Sequence, residues 1–195
     1  MAGYKVVCGV DEAGRGPWAG PVVAAAAVLD ETRLPGELAD AIDDSKKLSA
    51  LKRQALFAGF GDAVQIGIGQ ASVDEIDEVN ILQATMLAMS RAVRALPVTP
   101  DFALIDGNRI PDLGGMAADC VVKGDARSLS IAAASIAAKV TRDQIMSDLA
   151  ERYPGYGWER NAGYGTAQHQ EALVRLGVTP AHRKSFAPIR KILGA

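Results

Sequence analysis

The sequence predicts an α/β fold, a mixed sheet flanked by helices with a helical C-terminal segment resting on it. Three observations carry that expectation. Three strand-like runs near the N-terminus are followed by alternating helix and strand patterns. Residues 129–152 are long enough for a principal helix and, in their first half, small-sided enough to press against a sheet. Beyond Tyr153-Pro154 the texture changes to Gly-Tyr-Gly turns, a short helical stretch and a basic tail. A chain of 195 residues buries a sizeable core without a metal or disulfide staple. It divides into a core, 1–152, and a C-terminal segment, 153–195, packed on that core as part of one domain.

Residues 4–10 and 21–29 are rich in Val and Ala and bounded by Gly and Pro, so they read as strands joined by the glycine-rich turn 12–20. Residues 51–60 form a short helix, and 63–70 a strand with Val64, Ile66 and Ile68 alternating. Over 80–96, Leu82, Met86, Met89, Val93 and Leu96 fall on one helical face, with the methionines as core filler. Pro97 and Pro100 end that helix. Residues 102–105 are a buried strand closed by Asp106-Gly107, and 119–122 a further strand followed by Lys123-Gly124-Asp125. The long helix then runs over 129–152, and another over 168–176.

Composition excludes several classes. Apolar residues at 49% and charged residues at 23% do not fit a disordered or fibrous chain. The longest apolar run, Val22–Leu29, falls well short of the ~20 residues of a membrane helix. Asp11 and Glu12 arrive too early for a signal peptide, and Cys8 and Cys120, each inside an apolar run, read as buried reduced thiols. A cytoplasmic protein is expected, and a monomer, because no long apolar stripe is left over. The net charge of −2 argues against coating nucleic acid by bulk attraction. Local basic clusters remain, at Lys46-Lys47 with Lys52-Arg53, and at His182-Arg183-Lys184 and Arg190-Lys191 within an acid-free tail. Taken alone, each reads as a solvated face.

Acidic residues at strand ends carry the chemistry. Asp11 and Glu12 close the first strand, Asp106 closes the fourth, and Asp125 follows the fifth and opens the long helix. In open α/β sheets ligands gather outside strand ends. Carboxylates meeting there repel unless a hard cation neutralises them, and Mg²⁺ or Mn²⁺ suits an all-oxygen set. Each acid also has a plain structural reading: Asp125 as a helix cap, Asp106-Gly107 as a turn, Asp11-Glu12 as a loop cap. Two histidines and two cysteines without ligand spacing do not make a zinc site, and neither His169 nor His182 stands in a triad context. The segment 9–20 is neither a Walker loop nor a clean dinucleotide fingerprint. Gly14-Arg15-Gly16 lets the backbone approach a ligand with an arginine at hand, or else is a tight hairpin turn.

The motif Gly9-Val-Asp-Glu-Ala-Gly-Arg-Gly-Pro17 resembles the signature of ribonuclease HII, the type 2 bacterial ribonuclease H. The resemblance continues, in family order, through Asp44-Ser-Lys-Lys-Leu-Ser49, Asn80-Ile-Leu-Gln-Ala84, Ile105-Asp-Gly107 and Lys123-Gly-Asp125 with Ser130-Ile-Ala-Ala-Ala-Ser-Ile136. It ends in Gly163-Tyr-Gly-Thr166 and His182-Arg-Lys-Ser-Phe186, so it spans nearly the whole chain. The resemblance implies a ribonuclease H-like mixed five-stranded sheet. It implies an endoribonuclease that cleaves the RNA strand of RNA/DNA hybrids and incises at single ribonucleotides in duplex DNA. By that resemblance Asp11, Glu12, Asp106 and Asp125 are the catalytic metal-binding acids, Gly14, Arg15 and Gly16 the substrate-recognition turn, and Tyr164 the residue sensing the RNA–DNA junction. Ala162 stands where many members carry a lysine.

A two-metal hydrolysis leaving a 5′-phosphate and a 3′-hydroxyl needs little side-chain acid–base work, which agrees with the absence of a placed histidine. Selectivity then rests on the 2′-hydroxyl, which the 14–16 turn is expected to bind while Tyr164 stacks on the neighbouring sugar. Lys46, Lys47, Arg183 and Lys184 are expected to hold phosphates. Two rivals belong to other classes: a hybrid-binding module whose acids are structural caps, and a metal-dependent phosphohydrolase of free nucleotides.

Overall fold

The computed structural model describes residues 3–43 and 48–194. Its centre is a five-stranded sheet in the order β3-β2-β1-β4-β5, with β1 Val7–Ala13, β2 Val22–Leu29, β3 Val64–Ala71, β4 Phe102–Asp106 and β5 Ala117–Val121. β1, β2 and β3 form an antiparallel meander, whereas β1, β4 and β5 run parallel. The helices are α1 Gly36–Asp43, α2 Ala50–Ala58, α3 Val73–Arg94, α4 Leu129–Arg152, α5 Trp158–Asn161, α6 Ala167–Leu176 and α7 Ala187–Ile192. The mixed sheet read from the sequence is therefore present, with five strands.

β2 is apolar throughout because both of its faces are covered. Val22, Ala24 and Ala26 join Cys8, Val10, Ala88 and Met89 in the core under α3. Ala25 and Ala27 join Ala133, Ala134 and Ala137 under α4. The small residues around α4 allow the close approach: an added methyl on Gly9 of β1 would land on the backbone of Ile131. No helix among the described residues is long and apolar enough to cross a membrane.

Several boundaries differ from expectation. β1 begins at Val7, because the N–H groups of Lys5 and Val6 donate instead to the Asp101 carboxylate, at 2.8 and 3.0 Å. It continues to Ala13, paired with Val23, so Asp11 and Glu12 lie within the strand. α3 begins seven residues before Asn80, at Val73, where Ser72 and Glu75 make a reciprocal capping box. Asn80, at φ 69°, breaks this helix and caps its second part, its Oδ1 accepting the Leu82 and Gln83 N–H groups. Ser128, not Asp125, is the N-cap of α4; Asp125 sits earlier, in the one-turn helix Gly124–Ala126. Cys8 is buried, but Cys120 is exposed, because β5 is an edge strand with a largely uncovered surface.

α5 to α7 meet the core through a third cluster, where Trp158, Leu173, Ala181 and Ile189 pack with Ala19 and with Met146 of α4. Ala19 bridges His182, and the Trp18 N–H donates to the Gly163 carbonyl at 2.8 Å. The loop after β1 is thus stitched to the C-terminal segment from two sides.

Candidate active site

Parallel pairing of β1 with β4 is what brings the acids together. Val10 is registered with Ile105, so Asp11, two residues before the end of β1, and Asp106, the last residue of β4, follow as neighbours on adjacent strands. Asp11 is 6% exposed. Burial pushes its pKa well up, and the charges of Glu12 and Asp106 push it further, while hydrogen bonds from Ser135 and from the Glu12 N–H oppose them. Burial also raises Glu12, with Asp106 adding to the shift and the nearby Arg15 guanidinium, 3.4 Å from Oε1, working against it. Asp106 Oδ1 accepts the Gly124 N–H at 2.6 Å, which draws the Asp125 turn to the same end of the sheet. Glu12 and Asp125 face one groove of about 460 Å³, whose walls also include Arg15, Gly16, Lys139 and Tyr164.

These carboxylates are costly as bare anions, and their donor set is all oxygen. Among the described residues no three of them form a ready-made cation cage. The chemistry fits a hard divalent ion such as Mg²⁺ or Mn²⁺ that keeps waters or takes substrate oxygens in its shell. Asp11, Glu12 and Asp106 are the carboxylates whose charges act on one another, and Asp125 lines the groove beside Glu12.

Comparison with known proteins gives the chain a family. The family described as "Ribonuclease HII" matches residues 8–189. The chain belongs to the ribonuclease HII family. It is 60% identical over 189 residues to the ribonuclease HII of Rhodospirillum rubrum, covering 96% of this chain and 86% of that one. It is 58% identical over 188 residues to that of Paramagnetospirillum magneticum, covering 96% and 93%. Among solved structures, the ribonuclease H2 of Pyrococcus horikoshii OT3 superposes with a TM-score of 0.80 at 30% identity, over 96% of this chain and 97% of that one. As a ribonuclease HII, the chain is a metal-dependent endoribonuclease acting on RNA/DNA hybrids.

Around the ribonuclease HII site the other sequence-predicted residues are placed unevenly. Arg15 and Gly16 are exposed at the groove, and Gly14, at φ 96°, lies directly on the Arg142 side chain. Tyr164 is 50% exposed and its ring edges Gly16, where an added methyl would come within 3.3 Å; it is not a buried plug. Lys46 and Lys47 lie outside the described residues. Lys184 is exposed, its backbone N–H held by Asp77 at 2.9 Å, and it is not part of the groove wall.

Arg183 requires a correction. It is fully buried, so its guanidinium is not placed on a phosphate. It donates instead to the carbonyls of Gly14, Arg15, Gly20 and Pro21 and lies over the Phe186 ring. Burial and the neighbouring Arg142 lower its pKa to about 9, which leaves it charged at neutral pH. Arg142, Ser135 and Lys139 are site residues the sequence reading passed over. They share one face of α4, at spacings of four and three, where its small-sided first half gives way to a polar second half. Ala162 adopts a left-handed conformation at φ 48°, and its carbonyl accepts from Arg142 at 3.0 Å.

Proposed function

We propose that the chain, beyond cutting the RNA of hybrids, incises duplex DNA at single embedded ribonucleotides, by a two-metal hydrolysis giving 5′-phosphate and 3′-hydroxyl ends. The observation that carries this reading is the shared groove. Glu12 and Asp125 line the same groove as the exposed 14–16 turn and the Tyr164 ring, with Asp11 next to Glu12 in β1 and Asp106 on the neighbouring strand, which supports one ribose meeting both the acids and the turn. Asp11, Glu12, Asp106 and Asp125 are its catalytic acids, acting as oxygen ligands. Mg²⁺ or Mn²⁺ supplies, when bound, activation of the attacking water and neutralisation of charge on the leaving 3′ oxygen.

The remaining work falls to the chain. The Gly124 N–H holds one oxygen of Asp106, leaving the other as an acceptor for the ion. Ser135 and the Glu12 N–H keep Asp11 in one orientation. Gly14, Arg15 and Gly16 offer backbone donors to the 2′-hydroxyl, and the Tyr164 ring stacks on the adjoining deoxyribose. Lys46, Lys47 and Lys184 attract the duplex phosphates without reading sequence. In this reading the protein acts as a cytoplasmic monomer, with 1–152 and 153–195 as parts of one domain.

A duplex carrying one ribonucleotide tests the proposal, with an all-DNA duplex and free nucleotides as controls. Nicking 5′ to the ribonucleotide in Mg²⁺ or Mn²⁺, lost in EDTA and absent from both controls, is the expected result. Cutting of continuous hybrids alone, or hydrolysis of free nucleotides, overturns it.

A further inference from the structure

Two fully buried guanidiniums stand behind the 14–21 loop, and the chemistry proposed above uses neither. Arg183 Nη2 donates to the Gly14 carbonyl at 2.6 Å and to that of Pro21 at 3.1 Å, Nη1 to Arg15 at 2.9 Å and Nε to Gly20 at 2.9 Å. Arg142 donates from Nε to Pro21, from Nη2 to Ala19 and from Nη1 to Ala162, at 3.0–3.1 Å. No ion pair to either guanidinium is found among the described residues. Two like charges buried side by side, hydrogen-bonded to carbonyls and without an ion pair, are an expensive way to fill space, and apolar side chains would do that more cheaply. What guanidinium offers is a rigid fork of donors that fixes several carbonyls at once.

Fixing those carbonyls has a consequence on the opposite edge of each peptide. Every peptide here is trans, so a C=O and the N–H of the same unit point in opposite directions. Drawing the Gly14 and Arg15 carbonyls inward turns the N–H groups of Arg15 and Gly16 outward. Neither N–H has a protein acceptor among the described residues, and both residues are exposed at the groove. Arg142 meanwhile ties the same loop to Ala162, two residues before Tyr164, and so sets the distance between the turn and that ring.

We propose that Arg183, assisted by Arg142, is the positioning residue for ribose selection: from the C-terminal segment it orients the Arg15 and Gly16 amides as a donor pair for the sugar's 2′-oxygen. This rests on the reading of the 14–16 turn as the ribose-binding element. Lysine at 183 keeps the charge but loses the fork, and cannot hold four carbonyls.

The test compares the full-length protein with Arg183→Lys, Phe186→Leu and Gly16→Ala. Two quantities are read: kcat and KM on a duplex with one ribonucleotide, and the inhibition constant of an all-DNA duplex, which reports the groove without the 2′-oxygen. Folding is checked by circular dichroism at the assay temperature. Arg183→Lys is expected to lower kcat/KM about tenfold or more, the loss of one or two oriented hydrogen bonds, with the all-DNA inhibition constant within about twofold of wild type. Phe186→Leu keeps every donor but removes the ring under the guanidinium, and is expected to give a smaller loss of the same kind. It keeps the inference testable if lysine at 183 does not fold. Parallel loss of ribonucleotide turnover and all-DNA affinity, or no loss in a folded variant, overturns the inference. If Gly16→Ala loses selectivity while Arg183→Lys and Phe186→Leu do not, the positioning role alone falls. If Gly16→Ala is indifferent, the ribose-binding reading falls and takes this one with it.

Discussion

Acidification should loosen the protein at the junction of its C-terminal segment, through the only two histidines in the chain. Trp158 Nε1 donates to His169 Nε2 at 3.1 Å, which places the His169 proton on Nδ1, facing the Tyr164 carbonyl at 2.9 Å. The Thr179 N–H donates to His182 Nδ1 at 2.9 Å, so the His182 proton sits on Nε2, 3.1 Å from His169 Nε2. This network assigns both rings as neutral, and a second proton on either displaces a donor. Burial, with the facing His169, drives His182 from 6.5 down to about 4, and burial lowers His169 as well.

An unfolded chain therefore binds more protons than the native one between pH 6.5 and about 4, and stability falls as pH drops through that window. For His182 alone the loss is about 2 kcal/mol between pH 7 and pH 5, approaching about 3 kcal/mol near pH 4. Asp11 and Glu12, whose pKa values are raised, contribute with the opposite sign. Their share is the same in a His182→Asn variant, which keeps an acceptor for Thr179. Urea unfolding at pH 7 and pH 5 should therefore show a loss larger by about 2 kcal/mol in wild type than in the variant. Imidazole ¹⁵N shifts should show His182 neutral at pH 5. A native His182 titrating near 6.5, or matching pH profiles for the two proteins, would refute the reasoning.

Three further outcomes are expected. Asp106→Asn keeps the acceptor for Gly124 and relieves repulsion on Asp11, so cleavage should vanish while the melting temperature holds or rises; near-normal turnover removes Asp106 from the metal site. Tyr164→Phe should keep most activity on a single-ribonucleotide duplex and Tyr164→Ala lose ~1–3 kcal/mol of transition-state stabilisation, at unchanged melting temperature; a sharp fall in stability instead makes the exposed ring structural. Gly9→Ala drives a methyl into the Ser130–Ile131 backbone, and should cost about 3 kcal/mol or prevent folding, read as a shift in urea midpoint; a wild-type midpoint means α4 can retreat from β1.

What the sequence made legible follows from how many faces of an element are buried. β2 is covered by α3 on one side and α4 on the other, so it reads as an unbroken apolar run and its bounds come out almost to the residue. The first half of α4 is wrapped so closely that alanines dominate it, and its span 129–152 could be read outright. Elements decided by single side-chain bonds were not legible. The start of β1 depends on a carboxylate 95 residues away in sequence, and the break in α3 on one asparagine in a left-handed conformation. Periodicity is blind to both. The exposure of Cys120 depends on β5 lying at the edge of the sheet, a matter of strand order rather than of neighbours in the chain.

The candidate site divides along the same line. Asp11 and Asp106 stand out because acids at the ends of apolar strands have few other places to go, and parallel pairing then aligns them. His182-Arg183-Lys184 has the composition of a solvated basic face, yet its three side chains have three different fates: a buried aromatic cluster, a carbonyl-lined cavity and open solvent. Charge counting treats the latter two alike because it registers the sign of a group and not the density of acceptors around it. A loop of eight residues, 14–21, that turns five of its carbonyls inward creates a demand for donors that no sheet or helix can meet. Guanidinium meets it, at the cost of two buried positive charges. Among the described residues the exposed Arg15 pairs with Glu12, while Arg142 and Arg183 direct their donors to backbone. A net charge of −2 thus understates how little mobile positive charge remains for phosphates, and under the proposed function it places the burden of selectivity on oriented backbone N–H groups rather than on bulk attraction.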